Sequence, residues 1–299
     1  MGDDVLNLTI SYTGGLASTH RVDFYDIAQA LLGFQRSIAL TTHLVLNNEI
    51  ITQAPYLKGA TIHALPPIDG SWKLNAIVVF SGIYGLGTLQ NNSPLGHLIF
   101  SLYDHVVSES LGVHVDLNKS LGALYREANS KGQKLPKIQQ HQADSLIEKC
   151  STAIQEIHRP IYKTATATRA EISGVIGQQT LPMHSAFTLQ TWEFIRETQK
   201  SVAPRHFAGR VSSYNSNTFK GRIFVSEFGR SVPFELAKKI RNDFVVELVT
   251  TSLQANALRR FATAEEYIFF TAFLLTSRAG YLKELAITKV SDKAELLEE

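Results

Sequence analysis

The sequence predicts an α+β fold with two parts. The first is an N-terminal β-α-β-β unit with a helical middle segment, and the second is a C-terminal five-stranded, OB-like β-barrel. Apolar residues recur at helical spacing within 23–48 and 138–158, whereas short β-prone runs bounded by turn residues fill 206–290. A chain of 299 residues, 44% of them hydrophobic, is long enough for two cores. The predicted domains are 1–200 (α+β with helical middle) and 203–290 (barrel), followed by an acidic tail, 291–299.

The N-terminal elements follow from periodicity and end signals. Residues 5–12 alternate as a strand. Asp23 is the predicted N-cap of a helix that ends at Asn47-Asn48 and has an apolar face made of Ile27, Leu31, Phe34, Ile38 and Val45. The turn sequence PPIDG separates two further short strands, 60–65 and 71–80.

Residues 74–103 carry no formal charge, and this segment has two interpretations. Glycine, asparagine and proline interrupt its apolar run, which favours a buried strand and a loop over a membrane span of about 20 apolar residues. The alternative is a membrane-acting effector that uses residues 76–88. Membrane contact is the less favoured of the two interpretations.

The middle segment is predicted to be helical. In residues 138–158, apolar side chains at steps of three and four form one buried stripe that includes the single cysteine, Cys150. A buried, unreactive thiol is the favoured interpretation of Cys150. Residues 164–177 are predicted as strand and turn. The predicted helices are 95–112, 117–130, 138–158 and 188–198, the last capped by Thr188.

Five β segments and a helical segment make up the predicted barrel. Three strands, a helix and two strands are the element order of a small OB-like barrel. The stretch 237–262 between the third and fourth strands gives a mixed signal, because LQANALRRF favours a helix and FVVELV is ambiguous. The predicted strands are 206–214, 218–226, 230–236, 266–276 and 281–290.

Basic and aromatic residues alternate in the first three predicted barrel strands. Three Gly-Arg pairs lie there, and glycine suits the bends and bulges of small barrels. Residues 203–290 hold thirteen Lys and Arg against seven Asp and Glu, so positive charge is concentrated on the barrel. Strand alternation predicts that Lys220 and Arg222 face solvent and that Tyr214 shares a face with Arg210. The candidate binding residues are Arg210, Tyr214, Lys220, Arg222, Phe224 and Arg230.

This set resembles a contact surface for single-stranded nucleic acid, in which rings stack on bases and cations follow phosphates. Two alternatives stay open. One, the favoured interpretation of these residues, is an ordinary solvated barrel in which Arg222 and Arg230 pair with Glu227, Glu235 or Glu247. The other is a protein interface, because arginine and tyrosine are common interface anchors.

Catalytic and metal-binding motifs are not found in the sequence. It contains no P-loop, H-E-x-x-H or G-x-S-x-G, and one cysteine cannot supply a Cys₂His₂ zinc site. His97 and His105 lie eight residues apart on a predicted helix, with Asp104 beside the second. These three are weak candidates for a metal or acid–base site. The favoured interpretation is that the two histidines are ordinary helix residues whose ring nitrogens have hydrogen-bond partners. No catalytic residue and no cofactor is predicted.

The cysteine content and the N-terminus bear on the compartment. A lone cysteine fits a reducing environment, and the first residues are acidic and strand-like rather than a secretory signal. The sequence therefore predicts a cytoplasmic protein. Because residues 74–103 can be buried against a second copy, a homo-oligomer is a further expectation.

Two segments resemble a known group of proteins. HRVDFYDIAQALLGFQRSI, followed by KGATIHALPPIDGSWKL, is similar to the N-terminal part of uncharacterised bacterial and prophage proteins. SSYNSNTFKGRIFV and GRSVPFEL resemble a C-terminal small barrel of a related type of unknown function. The resemblance implies two domains and a bacterial or phage setting, and it supplies no catalytic residues. The matching N-terminal positions are His20, Asp23, Asp26, Gly70, Ser71 and Trp72.

The sequence thus predicts a non-enzymatic binding or assembly protein. Its expected partner is single-stranded nucleic acid or a protein complex that handles nucleic acid, bound through the basic barrel face. The resemblance extends this expectation to a phage–host conflict system, in defence or anti-defence. The alternatives are a membrane-acting effector that uses residues 74–103 and an enzyme with a His/Asp site.

Overall fold

The computed structural model describes residues 5–51, 57–65, 72–80, 94–176, 179–196, 198–258, 267–276 and 282–294. The chain divides into two units. The first comprises Met1–Ile138 and Leu146–Ile195, and the second comprises Gln139–Ser145 and Arg196–Glu299. The second unit is therefore built from two separate stretches of the chain.

The first unit contains most of the helices. It begins with strand β1 (Val5–Thr13), helix α1 (Phe24–Asn47) and strands β2 (Ala60–Ala64) and β3 (Trp72–Phe80). Helices α2 (Pro94–Ser110), α3 (Leu117–Ser130), α4 (Gln140–Ile157) and α5 (Arg159–Tyr162) follow. After them come strands β4 (Arg169–Ile176), β5 (Gln179–Pro182), β6 (Phe187–Thr188) and helix α6 (Leu189–Arg196). Helix α4 starts within Gln139–Ser145 and so begins in the second unit.

One antiparallel sheet forms the β part of the first unit. Its strand order is β2-β3-β1-β4-β5, and β6 also pairs with β4. Leu8 of the central strand β1 lies opposite Ala76 of β3 and Gly174 of β4. Because strand side chains alternate between the two faces, every second residue of β1 is buried in the core: Leu6, Leu8, Ile10 and Tyr12.

Helix α1 confirms the N-terminal prediction. The side chain of its N-cap, Asp23, accepts a hydrogen bond from the Asp26 amide at 2.9 Å, and the helix ends at Asn47, which is followed by the C-cap Asn48 with a φ of 56°. The hydroxyl groups of Ser37 and Tyr103 join α1 to α2 at 2.8 Å. The predicted face is buried at Ile27, Phe34, Ile38 and Val45 and half-buried at Leu31.

The uncharged segment is described in part. Its first residues lie in β3, as predicted, and its last residues lie in α2. Residues 81–93 lie outside the described residues, as do the turn 66–70 and Ser71. The predicted helices correspond to α2, α3, α4 and α6, and Cys150 is buried as expected. Burial raises the pKa of the Cys150 thiol to about 12, so the thiol stays protonated at neutral pH.

The second unit contains a closed five-stranded barrel, which confirms the predicted OB-like fold. Its strand order is β12-β10-β9-β8-β11, and β11 closes the ring by pairing with β12. The pairing of β10 with β12 is parallel, whereas the other barrel pairings are antiparallel. The elements of this unit are β7 (Gln199–Lys200), β8 (Arg205–Asn215), β9 (Lys220–Val225), β10 (Arg230–Leu236), α7 (Asp243–Ala257), β11 (Ile268–Thr276) and β12 (Leu282–Ser291).

The ambiguous stretch FVVELV is helical and lies in α7. Asn242 caps this helix by accepting a hydrogen bond from the Val245 amide at 3.0 Å. Val245 and Val249, four residues apart on one helical face, are buried in the barrel core. Residues 266 and 281 of the predicted strands, and residues 295–299 of the predicted acidic tail, lie outside the described residues.

A bulge in β8 corrects the predicted position of Tyr214. The pairing register with β9 shifts between Val211 and Ser213, so Tyr214 lies opposite Gly221. Its ring stacks on that of the core residue Phe234, with a centroid distance of 6.3 Å. Tyr214 therefore faces the core and not the side of Arg210. A Cβ atom on Gly221 would lie 2.1 Å from the Ser213 carbonyl oxygen, so glycine is required where these strands meet.

Burial of His158 makes the stability of the first unit depend on pH. Its Nδ1 donates to the Ile154 carbonyl at 3.2 Å, so Nε2 accepts from the Thr191 hydroxyl at 3.0 Å. Burial lowers the pKa of His158 to about 4, compared with about 6.5 in an unfolded chain. The folded unit therefore favours the neutral form of the His158 imidazole.

We predict that acidification destabilises the first unit through His158. Between about pH 6.5 and pH 4 the unfolded chain binds a proton that the folded chain does not, so this contribution, about 3 kcal/mol in full, is lost as the pH falls. Urea unfolding followed by fluorescence measures it, because both tryptophans, Trp72 and Trp192, lie in this unit. The His158→Gln variant should show a shallower pH dependence, and equal slopes would contradict the prediction.

Candidate binding face of the barrel

The candidate binding face is the outward side of strands β8, β9 and β10. Ile223 and Val225 of β9 lie in the barrel core, so the intervening residues of β9 point to the other side. Strand pairing arranges this side in three rows: Arg210–Phe224–Ser231, Ser213–Arg222–Pro233 and Asn215–Lys220–Glu235. These rows contain four of the six candidate binding residues predicted from the sequence, namely Arg210, Lys220, Arg222 and Phe224.

Arg210 forms an aromatic–arginine cluster with Phe224 and Tyr267. Its guanidinium carbon lies 5.1 Å from the Phe224 ring centroid and 5.6 Å from the Tyr267 ring centroid. All three side chains are half-buried. Rings within about 6 Å attract a cation electrostatically, so the cluster holds a positive charge beside two aromatic faces. The sequence predicted Arg210 and Phe224, but it did not indicate Tyr267.

Lys220 faces solvent, as predicted, but carboxylates balance its charge. The ammonium nitrogen lies 3.1 Å from Glu235 Oε2 and 3.6 Å from Glu284 Oε1. Burial alone would lower the pKa of Lys220, but Glu284 and Glu235 outweigh it and raise the pKa above its usual value. Burial also raises the pKa of the Glu284 carboxyl, and Lys220 opposes that shift. Lys220 is therefore protonated, and Glu235 and Glu284 compensate its positive charge.

The predicted solvent exposure of Arg222 is wrong. Its side chain is 4% exposed, and its Nε donates to Oδ1 of the fully buried Asp144 at 3.1 Å. The Ser212 hydroxyl donates to the other Asp144 oxygen, and Arg222 Nη2 donates to the Ser231 carbonyl at 3.1 Å. A cation on the outward side of a strand is thus covered by an acidic residue from the distant stretch Gln139–Ser145.

Arg230, Arg205 and Arg241 lie outside the three rows of the candidate binding face. Arg230 is half-buried, and its Nη2 donates to the Leu282 carbonyl at 3.2 Å. Arg205 pairs with Glu227 at 2.6 Å, and Arg241 pairs with Glu235 at 2.8 Å. Two of the three glutamates expected beside Arg222 or Arg230, namely Glu227 and Glu235, are therefore engaged with other cations, and the barrel does not present one continuous basic stripe among its described residues.

The His/Asp candidates in α2 are separated in the first unit. Buried Asp104 accepts hydrogen bonds from the Ser108 hydroxyl at 3.2 Å, from the His184 amide at 2.9 Å and from His184 Nδ1. Buried His105 instead contacts the Val115 carbonyl through Nδ1 at 2.9 Å. Asp104 and His105 are therefore adjacent in the chain but have different partners.

The Asp104–His184 pair holds one tautomer of an exposed imidazole. The hydroxyl of Ser185 donates to the hydroxyl of Ser108, and the Ser108 hydroxyl donates to Asp104, so these two hydrogen bonds lead to the carboxylate and do not involve the imidazole. The pair therefore differs from a nucleophile–base arrangement, in which the hydroxyl contacts the histidine. Burial lowers the pKa of half-buried His97. In the part of the chain that the structure describes, no three His, Cys, Asp or Glu residues are grouped to hold a metal.

No helix within the described ranges combines the length of a membrane span with a sufficiently apolar composition. Residues 81–93 of the uncharged segment are outside those ranges.

Sequence reasoning missed the two residues that most alter the face, Asp144 and Tyr267. Asp144 adjoins the apolar stripe of α4 and follows Ala143 directly, so a charged residue at the edge of a buried stripe was the available signal. Tyr267 immediately precedes β11 and gave no local signal. The partner of each residue lies far away in the sequence, where periodicity carries no information.

Comparison with protein families finds two adjacent matches. A domain of unknown function (DUF7946) matches residues 8–196, and a family of unknown function (DUF7947) matches residues 203–291. No curated protein and no solved structure matches the chain significantly. The two matches cover both predicted parts of the chain and carry no assigned activity.

We predict that Asp144→Ala strongly destabilises the second unit. The substitution leaves a buried guanidinium without its carboxylate, which costs about 3–5 kcal/mol. Glu227→Ala is the matched control, because it removes the carboxylate of an ion pair that is about half exposed and contributes less than about 1 kcal/mol. Hydrogen exchange of the barrel amides measures both, since the tryptophans report only on the first unit. Equal effects of the two substitutions would contradict the prediction.

Proposed function

The chain belongs to the family described as a domain of unknown function (DUF7946), and we propose, from the geometry of its barrel, that it binds single-stranded nucleic acid. The observation that carries this proposal is the Arg210 guanidinium held beside the Phe224 and Tyr267 rings on an OB-like barrel. Barrels of this type bind oligonucleotides or oligosaccharides on the face of their second and third strands. Phe224 lies on the second barrel strand, β9.

The chemistry of the aromatic–arginine cluster supports a nucleic-acid partner. An aromatic ring stacks on any base, and a neighbouring arginine adds a cation for the backbone phosphate. Arginine and tyrosine also anchor protein interfaces, so a protein partner is the alternative that an experiment has to separate. The OB-like strand order favours nucleic acid as the first hypothesis.

The ion pairs of the barrel determine the expected character of binding. Lys220, Arg205 and Arg241 are each paired with glutamate. The charges of these three cations are therefore already compensated within the barrel, and each phosphate contacted on a single strand contributes about −0.7 to the salt slope. We expect stacking to dominate the affinity and the salt dependence to be shallow.

The biological setting is part of the same proposal. A single buried cysteine suits a reducing compartment, which favours the cytoplasm. The resemblance to bacterial and prophage proteins supports a role in phage–host conflict, within a complex that handles nucleic acid. Self-association through the uncharged segment belongs to the same hypothesis, and native purification followed by identification of copurifying molecules tests this setting.

We predict that Phe224→Ala and Arg210→Ala weaken oligonucleotide binding in different ways. Loss of one stacked base costs about 1–3 kcal/mol, so Phe224→Ala should raise Kd roughly 5- to 150-fold with an unchanged salt slope. Arg210→Ala should make the salt slope shallower by about 0.7. The measurement is the fluorescence anisotropy of a labelled oligothymidylate at several salt concentrations.

Lys239→Ala is the matched control for this experiment. Lys239 is an exposed residue of the 3₁₀ turn Lys238–Ile240, so its loss changes the net charge equally but leaves the cluster intact. Its effect on Kd should be small. The nucleic-acid proposal fails if neither cluster variant changes the affinity while circular dichroism shows an intact fold.

A further inference from the structure

The side chain of Asp144 covers the middle of the candidate binding face. Arg222 and Pro233 lie opposite each other on β9 and β10, the second and third barrel strands. This is the region where an OB-like barrel receives its ligand. The Asp144 carboxylate, near the start of α4, is bound there, and both Asp144 and Arg222 are buried.

Three side-chain donors hold the Asp144 carboxylate. Oδ1 accepts from Arg222 Nε at 3.1 Å and from Gln140 Nε2 at 3.0 Å, and Oδ2 accepts from the Ser212 hydroxyl. Two of these donors, Arg222 and Ser212, belong to the barrel, whereas Gln140 belongs to the same stretch as Asp144. The barrel thus provides a guanidinium and a hydroxyl that together bind an anion.

Stability alone does not explain this arrangement. Neutralising a buried arginine compensates its desolvation, but apolar residues of similar size stabilise a fold equally well or better. Strand alternation also gives Arg222 an outward position, so the barrel by itself would leave the guanidinium accessible. The Arg222 guanidinium and the Ser212 hydroxyl therefore have the arrangement of an anion-binding site, and the Asp144 carboxylate occupies it. The aromatic–arginine cluster lies on the same face of the barrel.

We propose that Arg222 and Ser212 form the phosphate site of the single-strand binding face, and that Asp144 occupies this site as an internal competitor. This inference rests on the function proposed above and adds its regulation. A backbone phosphate carries the same negative charge as the carboxylate and accepts from the same donors. Arg222 and Phe224 are two residues apart on one side of β9, about 7 Å along the strand. One strand of nucleic acid can therefore place a base on Phe224 and a phosphate on Arg222.

Competition between the carboxylate and the phosphate has a direct consequence. Nucleic acid has to displace Asp144 before it reaches Arg222, so the wild-type chain binds more weakly than its barrel allows. Weakening the hold on Asp144, without changing the barrel, should strengthen binding. A change of Gln140 weakens this hold and keeps the carboxylate, whereas a change of Asp144 itself also removes the counter-ion of Arg222 and costs stability.

The test compares oligothymidylate binding by full-length variants. Asp144→Asn keeps the size of the side chain and removes its charge, and we expect Kd to fall about tenfold or more, with a salt slope steeper by about 0.7 as Arg222 gains a phosphate. Gln140→Ala removes one hydrogen bond to Asp144 and leaves the ion pair, so Kd should fall roughly 2- to 12-fold. The double variant Asp144→Asn/Arg222→Gln should lose the gain. Circular dichroism and hydrogen exchange confirm that each variant is folded.

Each outcome decides between the two proposals. If the wild-type chain binds, but neither Asp144→Asn nor Gln140→Ala strengthens binding, Asp144 is a structural partner only, and the function proposed for the face stands. A gain that persists in the double variant excludes Arg222 as the phosphate site. If the wild-type chain and both single variants fail to bind any single strand, the proposed function and the internal competitor are both wrong.

Discussion

A guanidinium can be buried only if an anion accompanies it, and this requirement decides how the second unit is assembled. Arg222 lies on the outward side of β9, and its carboxylate partner, Asp144, lies 78 residues earlier in the chain. The strands of the barrel close by their own pairing, but they do not neutralise this arginine. The unit therefore recruits Gln139–Ser145, the beginning of a helix that continues in the first unit.

Ion pairs in the barrel change what its basic composition implies about its surface. The barrel region is strongly basic in sequence, yet Glu227, Glu235, Glu284 and Asp144 each engage one or more of its cations. What distinguishes the outward side is then the geometry of the aromatic–arginine cluster, rather than net charge. We therefore expect the contacts of such a surface to depend on shape and stacking, and to be less sensitive to ionic strength than those of a basic stripe.

Features with a local signal were predictable from the sequence, and features set by distant contacts were not. The N-cap at Asp23 and the order of strands and helix in the barrel follow from neighbouring residues, so the fold class was correct. Tyr214 was assigned to the wrong face, because a bulge of one residue inverts strand alternation and leaves no mark in the pattern. Arg222 was assigned to solvent, since nothing in the residues near it indicates Asp144.

The discontinuous second unit has a consequence for the chain as a product of evolution. A barrel excised without the carboxylate that precedes β4 would lose the counter-ion of its buried arginine. A gene fragment that begins at residue 203, where the second family match begins, would encode the strands but not the counter-ion. Recombination between the two regions would therefore separate Arg222 from Asp144, unless the new neighbour supplied an equivalent acid.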